Sequence, residues 1–338
     1  MLTLRPLDPA RWEAFVNAHP QALLFHTPAW LDFLAEVYGL QWHPLGIWRG
    51  EALVGVFPLL TRRLGPFRLA GSPLMQVIAS TPFLGPLVAP SLLPDALLAV
   101  RAFARRRKID HLEMAFPFLL AEERQAKGLG FGVETCRAVV LSLAGKTTAQ
   151  LWGELSAACR RAVRKAEANG VEIVEATDAG IVEEYYRMCE EVYRDAGRPP
   201  HLSRKFYRLL WERFAGTETL KVRLAKRGGQ LLAGAMFLLH RRTAYYLSGA
   251  SYRAGLPFRP NNLLQWRFIV WAAGRGYHRY DMGGAVVPGI TRFKLSFGGT
   301  LHPYTRLYRA GSPLAWLGRA AYRRLIPLWR WGQARRTA

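Results

Sequence analysis

The feature that most constrains the fold of this chain is an internal repeat. Residues 50–55 read GEALVG and residues 229–234 read GQLLAG, and each stretch opens the second strand of a predicted hairpin. Further along each half, an apolar helix leads to an acidic residue followed by methionine, Glu113-Met114 and then Asp281-Met282. Because these short matches recur in the same order, they predict two copies of one structural unit.

Hydrophobic periodicity and turn residues predict the same succession of elements in both halves. The first half is predicted to contain strands at 2–7, 42–48, 52–60, 111–116 and 133–143, with helices at 9–18, 28–38 and 95–108 and a short helix before the last strand. The second half is predicted to contain a helix at 149–168, helices capped by Asp178 and Ser203, strands at 220–225, 230–240 and 243–248, a helix at 262–274, a strand at 277–282, a short helix at 290–297 and a strand at 301–308.

This order resembles that of GNAT acyltransferases, in which one or two helices precede a hairpin, a helix, a strand, a helix and a strand. It implies an α/β fold with mixed, mostly antiparallel sheets and helices on both faces. We therefore predict two tandem GNAT-like domains. The first comprises residues 1–145 joined by the C-terminal segment 309–338, and the second comprises residues 146–308.

An uncharged stretch at 69–94 is long enough to cross a bilayer, but its composition argues against a spanning helix. It contains five prolines and two glycines, and a helix interior does not tolerate proline at that density. We predict buried strands and loops there. Arg5, Asp8 and Arg11 interrupt the beginning of the sequence, so no signal peptide is expected.

The chain carries a formal net charge of +23 among 338 residues, and Asp281 is its last acidic residue. Such a charge attracts polyanions, among them tRNA, anionic lipid, nucleotide-linked substrates and coenzyme A. The alternative is an arginine-rich protein whose composition reflects a GC-rich genome. The three cysteines have no paired spacing and no histidine cluster nearby, so we expect a reducing compartment and neither disulfides nor a metal site.

A first candidate site is the predicted helix start around residues 259–264. Free N–H groups at a helix N-terminus bind phosphate, Arg259 would add charge, and Asn261 or Asn262 would cap the helix. The alternative is an ordinary capped helix. A GNAT domain that binds coenzyme A normally carries a glycine-rich turn here, and its absence argues against acetyl-CoA as the donor.

A second candidate is the segment 291–299, in which Arg292 and Lys294 flank Phe293 close to Gly298 and Gly299. Lysine is scarce in this chain, and the glycines permit close approach of a backbone or ligand. The alternative is a surface lysine on an amphipathic helix.

A third candidate is the basic face of the helix predicted at 149–168, where Arg160, Arg161, Arg164 and Lys165 lie opposite an apolar face and would hold phosphates. A solvated helix face is the alternative. The C-terminal segment mixes tryptophan with arginine, which suits a membrane interface. Packing of that segment against the first domain is the alternative.

Together these segments resemble the FemAB-like family. The motifs that carry the resemblance are RRxxRKAExxGV beginning at Arg160, YYLSGA at 245–250, PNNLLQW at 260–266, YDMGG at 280–284, GIxRFKxxFGG at 289–299 and FHTPAW at 25–30. They stand in the family's order and span nearly the whole chain, in the compact form that lacks a helical arm.

The resemblance implies two GNAT-like domains and a substrate cleft at and between them. Some members transfer an amino acid from aminoacyl-tRNA to the peptide stem of a cell-wall precursor, and others act as acetyltransferases on polysaccharide or unknown amines. In the tRNA-dependent members the Phe-Lys pair lies near the donor, which corresponds to Phe293 and Lys294 here. Asp281 is the best carboxylate candidate, and Tyr246 and Phe293 are candidates to line the acceptor or donor pocket.

We therefore predict an aminoacyltransferase that moves an amino acid from aminoacyl-tRNA to an amine of a lipid- or nucleotide-linked peptidoglycan precursor, with no other cofactor. The predicted location is the cytoplasm, with peripheral contact to the inner membrane face left open. One alternative is an acyl-CoA-dependent N-acyltransferase that acts on an amino sugar or surface glycan. A second alternative is a non-catalytic protein that binds polyanions or a membrane surface.

Overall fold

The computed structural model describes residues 1–311 except 75, 76, 79, 122, 196 and 198. The predicted C-terminal tryptophan and arginine segment, with its membrane contact or packing, therefore lies outside the described residues. The described chain folds into two compact units. Of the described residues, the first unit contains Met1–Cys136 and Pro303 to Gly311, and the second contains Arg137–His302.

The first unit is built from strands on one sheet and helices that cover it. Its elements are β1 (Leu2–Pro6), α1 (Pro9–Ala18), α2 (Pro28–Tyr38), β2 (Gln41–Arg49), β3 (Ala52–Leu64), β4 (Phe67–Ser72), β5 (Leu87–Val88), α3 (Leu93–Arg106), β6 (His111–Phe116) and α4 (Glu123–Gly128), with short 3₁₀ turns at Leu24–His26 and Pro90–Leu92.

The sheet of the first unit has the order β1-β2-β3-β4-β6 and ends with strand β13 (Thr300–Ala310), which pairs with β6 from Thr305 to Ala310. All neighbours are antiparallel except β4 and β6, which run parallel. A parallel pair needs a crossover connection, and α3 provides it. Trp12, Phe25, Trp30 and Phe33 are fully buried and fill much of the core on the side of α1 and α2.

The second unit repeats this plan. Its elements are β7 (Gly132–Ser142, from Arg137 on), α5 (Thr148–Glu154), α6 (Ala157–Ala168), β8 (Glu172–Glu175), α7 (Ile181–Asp195), α8 (Arg204–Phe214), β9 (Leu220–Arg227), β10 (Gln230–His240), β11 (Thr243–Ser251), a 3₁₀ turn (Arg253–Phe258), α9 (Pro260–Gly274), β12 (Arg279–Gly284), α10 (Pro288–Leu295) and the beginning of β13.

The sheet of the second unit has the order β8-β9-β10-β11-β12-β7. Only β11 and β12 run parallel among these neighbours, and α9 makes the crossover between them. Strand for strand this matches the first unit, which confirms the predicted α/β class with two GNAT-like domains. The sixth strand of the first sheet, β13, follows the second unit in the sequence, whereas the sixth strand of the second sheet, β7, is the first element of that unit.

The repeat also places one buried carboxylate on the equivalent parallel strand of each unit. In the first unit this is Glu113, fully buried on β6, with its Oε2 accepting a 2.8 Å hydrogen bond from Arg306 Nη2. Burial alone would raise the pKa of Glu113, but the hydrogen bonds and charges of His111 and Arg306 outweigh burial and lower that pKa. The pair therefore ties β13 to the centre of the first sheet.

Most predicted elements are confirmed, and the corrections have local causes. The single helix predicted at 149–168 is wrong, because Leu155 adopts an extended conformation (ψ 141°) and Ser156 caps a new helix, α6, through the N–H of Cys159. Strand β8 was not predicted, and β4 begins two residues before the stretch in which buried strands were predicted without bounds. For the stretch at 69–94, the described residues form strand ends and loops up to the start of α3, as predicted. Among the described residues, we find no helix of sufficient length and apolar character to span a membrane.

We expect Arg306→Met to lower the free energy of unfolding by about 3 kcal/mol, because it leaves the carboxylate of Glu113 buried without its cation. Chemical denaturation of the full chain measures this change. Arg309→Met is the matched control on the same strand. Burial, and then the charges of Arg101 and Arg105, lower the pKa of Arg309, so its cation contributes little. Equal losses in the two variants would contradict a specific role for the buried pair.

Candidate active site

Lys294 is a buried lysine in the last turn of α10, with 7% of its surface exposed. Its Nζ donates a 2.9 Å hydrogen bond to the carbonyl oxygen of Gly284 at the end of β12. Burial lowers the pKa of Lys294 to about 8, and the charge of Asp281 partly opposes this shift. An ammonium has three donors. Among the described residues, the ammonium of Lys294 donates one hydrogen bond, the one to Gly284.

Asp281 lies two residues before the glycine pair and organises the end of β12. Its Oδ1 accepts a 2.8 Å hydrogen bond from the N–H of Gly283, which adopts a left-handed conformation with φ +76°. Its Oδ2 lies 3.6 Å from Arg279 Nη2 and has no hydrogen-bond partner among the described residues. Burial raises the pKa of Asp281, while Arg279, the Gly283 N–H and Lys294 act in the opposite direction.

These groups lie where two parallel strands stop pairing. β11 and β12 pair at three positions, ending at Tyr245 and Asp281. β11 continues to Ser251, whereas β12 keeps only its pairing with β7, which is irregular between Asp281 and Gly284. A Cβ atom at Gly283 would lie 3.8 Å from Lys294 Nζ and 4.0 Å from the carbonyl oxygen of Tyr246. The opening between the two strands is therefore bordered by a glycine backbone and a buried cation.

Tyr246 borders this opening from β11. Its ring packs 5.9 Å from that of Phe237, and burial raises its pKa. A bulge between Met236 and Phe237 shifts the register of β11 next to Tyr246. Ser248, next to the bulge, is part of a buried polar cluster, since its Oγ lies 2.8 Å from the hydroxyl groups of both Tyr185 and Tyr207.

The first turn of α9 differs from the prediction. The helix begins at Pro260, with Arg259 as its N-terminal flanking residue in a left-handed conformation (φ 57°) and no side-chain cap. The prediction that Asn261 or Asn262 caps the helix is therefore wrong, because the helix already begins at Pro260, before either asparagine. Asn261 Nδ2 instead donates to Ser251 Oγ at 3.1 Å. Asn262 Nδ2 lies 3.8 Å from Cys159 Sγ.

Cys159 connects α9 to α10. Burial raises its pKa, and hydrogen bonds from Ser296 and Asn262 act in the opposite direction. The backbone makes the same connection, since the N–H of Ser156 donates to the carbonyl oxygen of Ser296 at 2.9 Å. The structure thus links the helix that carries Lys294 to the first turn of α9 through the start of α6.

The remaining predicted site residues have varied surroundings. Phe293 packs edge-on against Phe297 at 5.1 Å, while Arg292 and Arg259 are exposed. Arg160 Nη1 donates to the carbonyl oxygens of Gly153 and Leu155 at 3.1 and 2.8 Å. That contact closes the end of α5. Arg164 is exposed, with its guanidinium 5.5 Å from the ring centre of Trp152.

The structure therefore brings Lys294, Asp281 and Tyr246 together and joins them to Asn262 through Cys159. Arg160 and Arg164 belong to a separate helix face. Sequence reasoning missed Arg279 as the ion partner of Asp281. Its position two residues earlier on the same strand, and hence on the same face, was the available signal.

Comparisons with known proteins identify the kind of domain and the fold. Residues 154–295 match a family described as an acetyltransferase (GNAT) domain. FemX has a similar structure, with a TM-score of 0.70, 15% identity and coverage of 89% of this chain and 96% of FemX. A search of curated protein sequences found no match.

Two further solved structures share the fold over most of their length. One is the C-terminal domain of a putative lysylphosphatidylglycerol synthetase from Agrobacterium fabrum, with a TM-score of 0.59, 13% identity and coverage of 94% and 98%. The other is a tandem GNAT protein from the clavulanic acid biosynthesis pathway, with a TM-score of 0.56, 12% identity and coverage of 93% and 99%.

The domain match and the duplicated fold define an acyltransferase with two GNAT domains in one chain. The resemblance to the FemAB-like family that the motifs indicated is supported by the fold that this chain shares with FemX.

We expect Lys294→Met to raise the free energy of unfolding at pH 7 by roughly 2–3 kcal/mol, since each pKa unit corresponds to about 1.4 kcal/mol. The folded-state pKa of about 8 lies below the unfolded value, so the unfolded chain binds the extra proton between those two values. The contribution of Lys294 to stability therefore becomes less unfavourable as pH increases from about 8 towards about 10.4, whereas buried thiols such as Cys159, whose pKa burial raises, act in the opposite direction.

Denaturant titrations at several pH values measure this dependence. The stability gained by Lys294→Met over the unmodified protein should shrink above pH 8, whereas the difference between Lys127→Met, at an exposed lysine of α4, and the unmodified protein should stay constant. A gain in Lys294→Met that stays constant across this window would show that Lys294 does not titrate there.

Proposed function

We propose that this protein transfers an amino acid from aminoacyl-tRNA to an amine of a peptidoglycan precursor stem peptide. The observation that carries the proposal is the buried ammonium of Lys294 at the opening between β11 and β12. Placing a lysine there costs stability, because burial disfavours its charged form. A costly, incompletely hydrogen-bonded cation in an acyltransferase domain points to a role in stabilising negative charge.

The chemistry needs positioning and charge stabilisation more than activation. An aminoacyl ester is already reactive towards amines. The attacking nitrogen forms a C–N bond to the ester carbonyl carbon, and a tetrahedral oxyanion develops on the carbonyl oxygen. The C–O bond to the ribose then breaks, and a proton from the amine passes to the leaving hydroxyl. The free donors of Lys294 would stabilise the oxyanion or the leaving oxygen, where electrostatic contributions to rate are largest.

Asp281 would act as a positioning residue in this scheme. Its hydrogen bond from the Gly283 N–H fixes the glycine turn, and the next carbonyl, of Gly284, holds Lys294 Nζ. Its negative charge also keeps the pKa of Lys294 from falling further. Asp281 thereby helps to keep the lysine protonated at neutral pH.

The charge of the chain supports a tRNA donor. The net charge of +23 favours binding to polyanions in general, and the phosphate backbone of a nucleic acid is a common polyanion of high charge density. Arg292 and Arg259 are exposed in the second unit, at α10 and at the start of α9. They are proposed contacts for donor phosphates, together with Asn261 and Asn262 in the first turn of α9.

A second candidate function is N-acylation with an acyl-CoA donor. The match of residues 154–295 to an acetyltransferase (GNAT) domain favours it. Against it, the chain enters α9 through Arg259-Pro260 and has no glycine-rich turn at this position. Both donors would use the same opening between β11 and β12, so the experiment has to compare them directly.

We expect a precursor pentapeptide to gain the mass of one amino-acid residue when it is incubated with the protein and a mixture of charged tRNAs. Mass spectrometry of the peptide detects the product and identifies the amino acid. Lys294→Ala should lower the rate at least about 100-fold, the typical effect of removing one oxyanion donor. Lys127→Ala is the matched control and should retain the full rate.

A parallel reaction with acetyl-CoA and no tRNA separates the two candidates. Acetylation there, without aminoacylation in the first reaction, would replace the proposal by the second candidate. No product with either donor would reject both for this acceptor and favour a binding protein, whose affinity for tRNA should then be equal for charged and uncharged forms.

We also expect the pH dependence of transfer to reveal the ionisation of Lys294. Initial rates of the unmodified protein should be divided by those of Lys294→Arg at each pH, which cancels the ionisation of the acceptor amine. Arginine stays charged throughout, so the ratio should be flat at low pH and fall about tenfold per pH unit above about 8.

Asp281→Asn provides the linked test, since it keeps an oxygen acceptor for Gly283 and removes the negative charge. The decline should then begin at a lower pH, because Asp281 raises the pKa of Lys294. A ratio that rises with pH would contradict the cationic role and indicate that neutral Lys294 acts as a base.

A further inference from the structure

A cavity of about 790 Å³ lies in the first unit, separate from the candidate active site in the second. Strands β2, β3 and β4 and the C-terminal end of α3 line it. Arg68 at the start of β4 and Ile109 just before β6 both contribute. The cavity therefore lies at the amino ends of the parallel pair, whereas the opening between β11 and β12 lies beyond the carboxyl end of their pairing.

The rim of the cavity is strongly cationic. Four exposed arginines contribute to it, namely Arg62, Arg63, Arg68 and Arg107, and no carboxylate is among the lining residues. The neighbouring carboxylate of Asp110 accepts a 2.8 Å hydrogen bond from the backbone N–H of Arg68. In the described part of the chain, no ion pair joins any of the four guanidinium groups to a carboxylate. Arginine is the side chain best suited to bidentate recognition of phosphate.

The floor of the same cavity is apolar. It is formed by three buried side chains, Leu45, Leu59 and Ile109, and by the half-buried Leu69 and Phe103. Aliphatic groups predominate, and the one aromatic ring, Phe103, has the guanidinium of Arg107 5.6 Å from its centre. A nucleobase would therefore find little open aromatic surface for stacking, whereas an aliphatic chain would be in contact with hydrocarbon.

A polar but uncharged wall lies between floor and rim. His43 Nε2 is 2.9 Å from Thr61 Oγ1, and both residues line the cavity. Burial, and then the charge of Arg107, lowers the pKa of His43, so its ring is neutral at neutral pH. The positive charge of the cavity is thus confined to the guanidinium groups of the rim.

We propose that this cavity binds an amphiphilic organic phosphate, with its aliphatic chain on the carbon floor and its phosphate group among the arginines of the rim. A bare phosphate would leave the floor in contact with water. A neutral lipid would leave four like charges without a counter-charge. The two halves of the cavity are satisfied together only by a ligand that has both parts.

Isothermal titration calorimetry of the full chain with dodecyl phosphate, below its micelle concentration, tests the proposal. We expect dodecyl phosphate to bind at least about tenfold more tightly than butyl phosphate, because each buried methylene adds favourable transfer free energy. Arg63→Gln with Arg107→Gln should weaken dodecyl phosphate at least about tenfold, since both lost contacts are charge-assisted.

Arg105→Gln with Arg106→Gln is the matched control. It removes the same charge from exposed arginines in the last turn of α3 that do not line the cavity, and it should leave the affinity unchanged. Both double variants should retain acyl transfer, which separates this proposal from the proposed function.

Three results would overturn the proposal. Binding of dodecyl phosphate that is equally weakened by the two double variants would indicate general charge attraction. Affinity for inorganic phosphate or uridine monophosphate equal to that for dodecyl phosphate would remove the role of the floor. Absence of dodecyl phosphate binding would show that the cavity does not take this class of ligand.

Discussion

Each unit depends on a single parallel strand pair within an otherwise antiparallel sheet. β4 with β6 and β11 with β12 require a helical crossover, and α3 and α9 supply it. This constraint fixes which helix covers the sheet and which strand ends adjoin a helix start. In the second unit the pair separates after three positions. The candidate site is a direct result of that separation, since an antiparallel hairpin would have continued its ladder.

The buried carboxylate on the parallel strand has different hydrogen-bond and ion partners in the two units. Glu113 has an arginine at 2.8 Å, and its pKa is lowered despite burial. Asp281 has an arginine only at 3.6 Å and a carboxylate oxygen without a hydrogen-bond partner among the described residues, and burial raises its pKa. Fully satisfied buried networks rigidify a fold, whereas incomplete ones mark functional sites. The first copy thus ties two strands together, and the second is the copy at which the proposed function places a ligand.

The sequence predicted the duplication and most elements because apolar periodicity, hairpin glycines and capping residues are local signals. It failed where local signals were weak or misleading. The helix break at Leu155 is fixed in part by a tertiary contact, the 2.9 Å hydrogen bond from the N–H of Ser156 to the carbonyl oxygen of Ser296. Similarly, Asn261 and Asn262 are good capping residues, but Pro260 begins the helix before them.

For the site, the sequence identified Lys294 and Asp281 as individual residues, chiefly through a family resemblance. Their relation to each other depends on the left-handed conformation of Gly283 and on the strand separation. Both are properties of the folded sheet, and no spacing in the sequence encodes them. The same holds for the arginine-rimmed cavity, whose lining residues come from four separate segments of the first unit.

The position of β13 after the second unit in the sequence has a consequence for synthesis on the ribosome. β6 of the first sheet gains its neighbour β13 only when Thr305–Ala310 have been made, after the whole of the second unit. Until then Glu113 lacks Arg306, and one edge of the first sheet is unpaired. Domains usually mature in the order in which they are translated. Here the first domain to begin is the last to finish, and a nascent chain stalled before residue 305 would expose that open edge to other polypeptides.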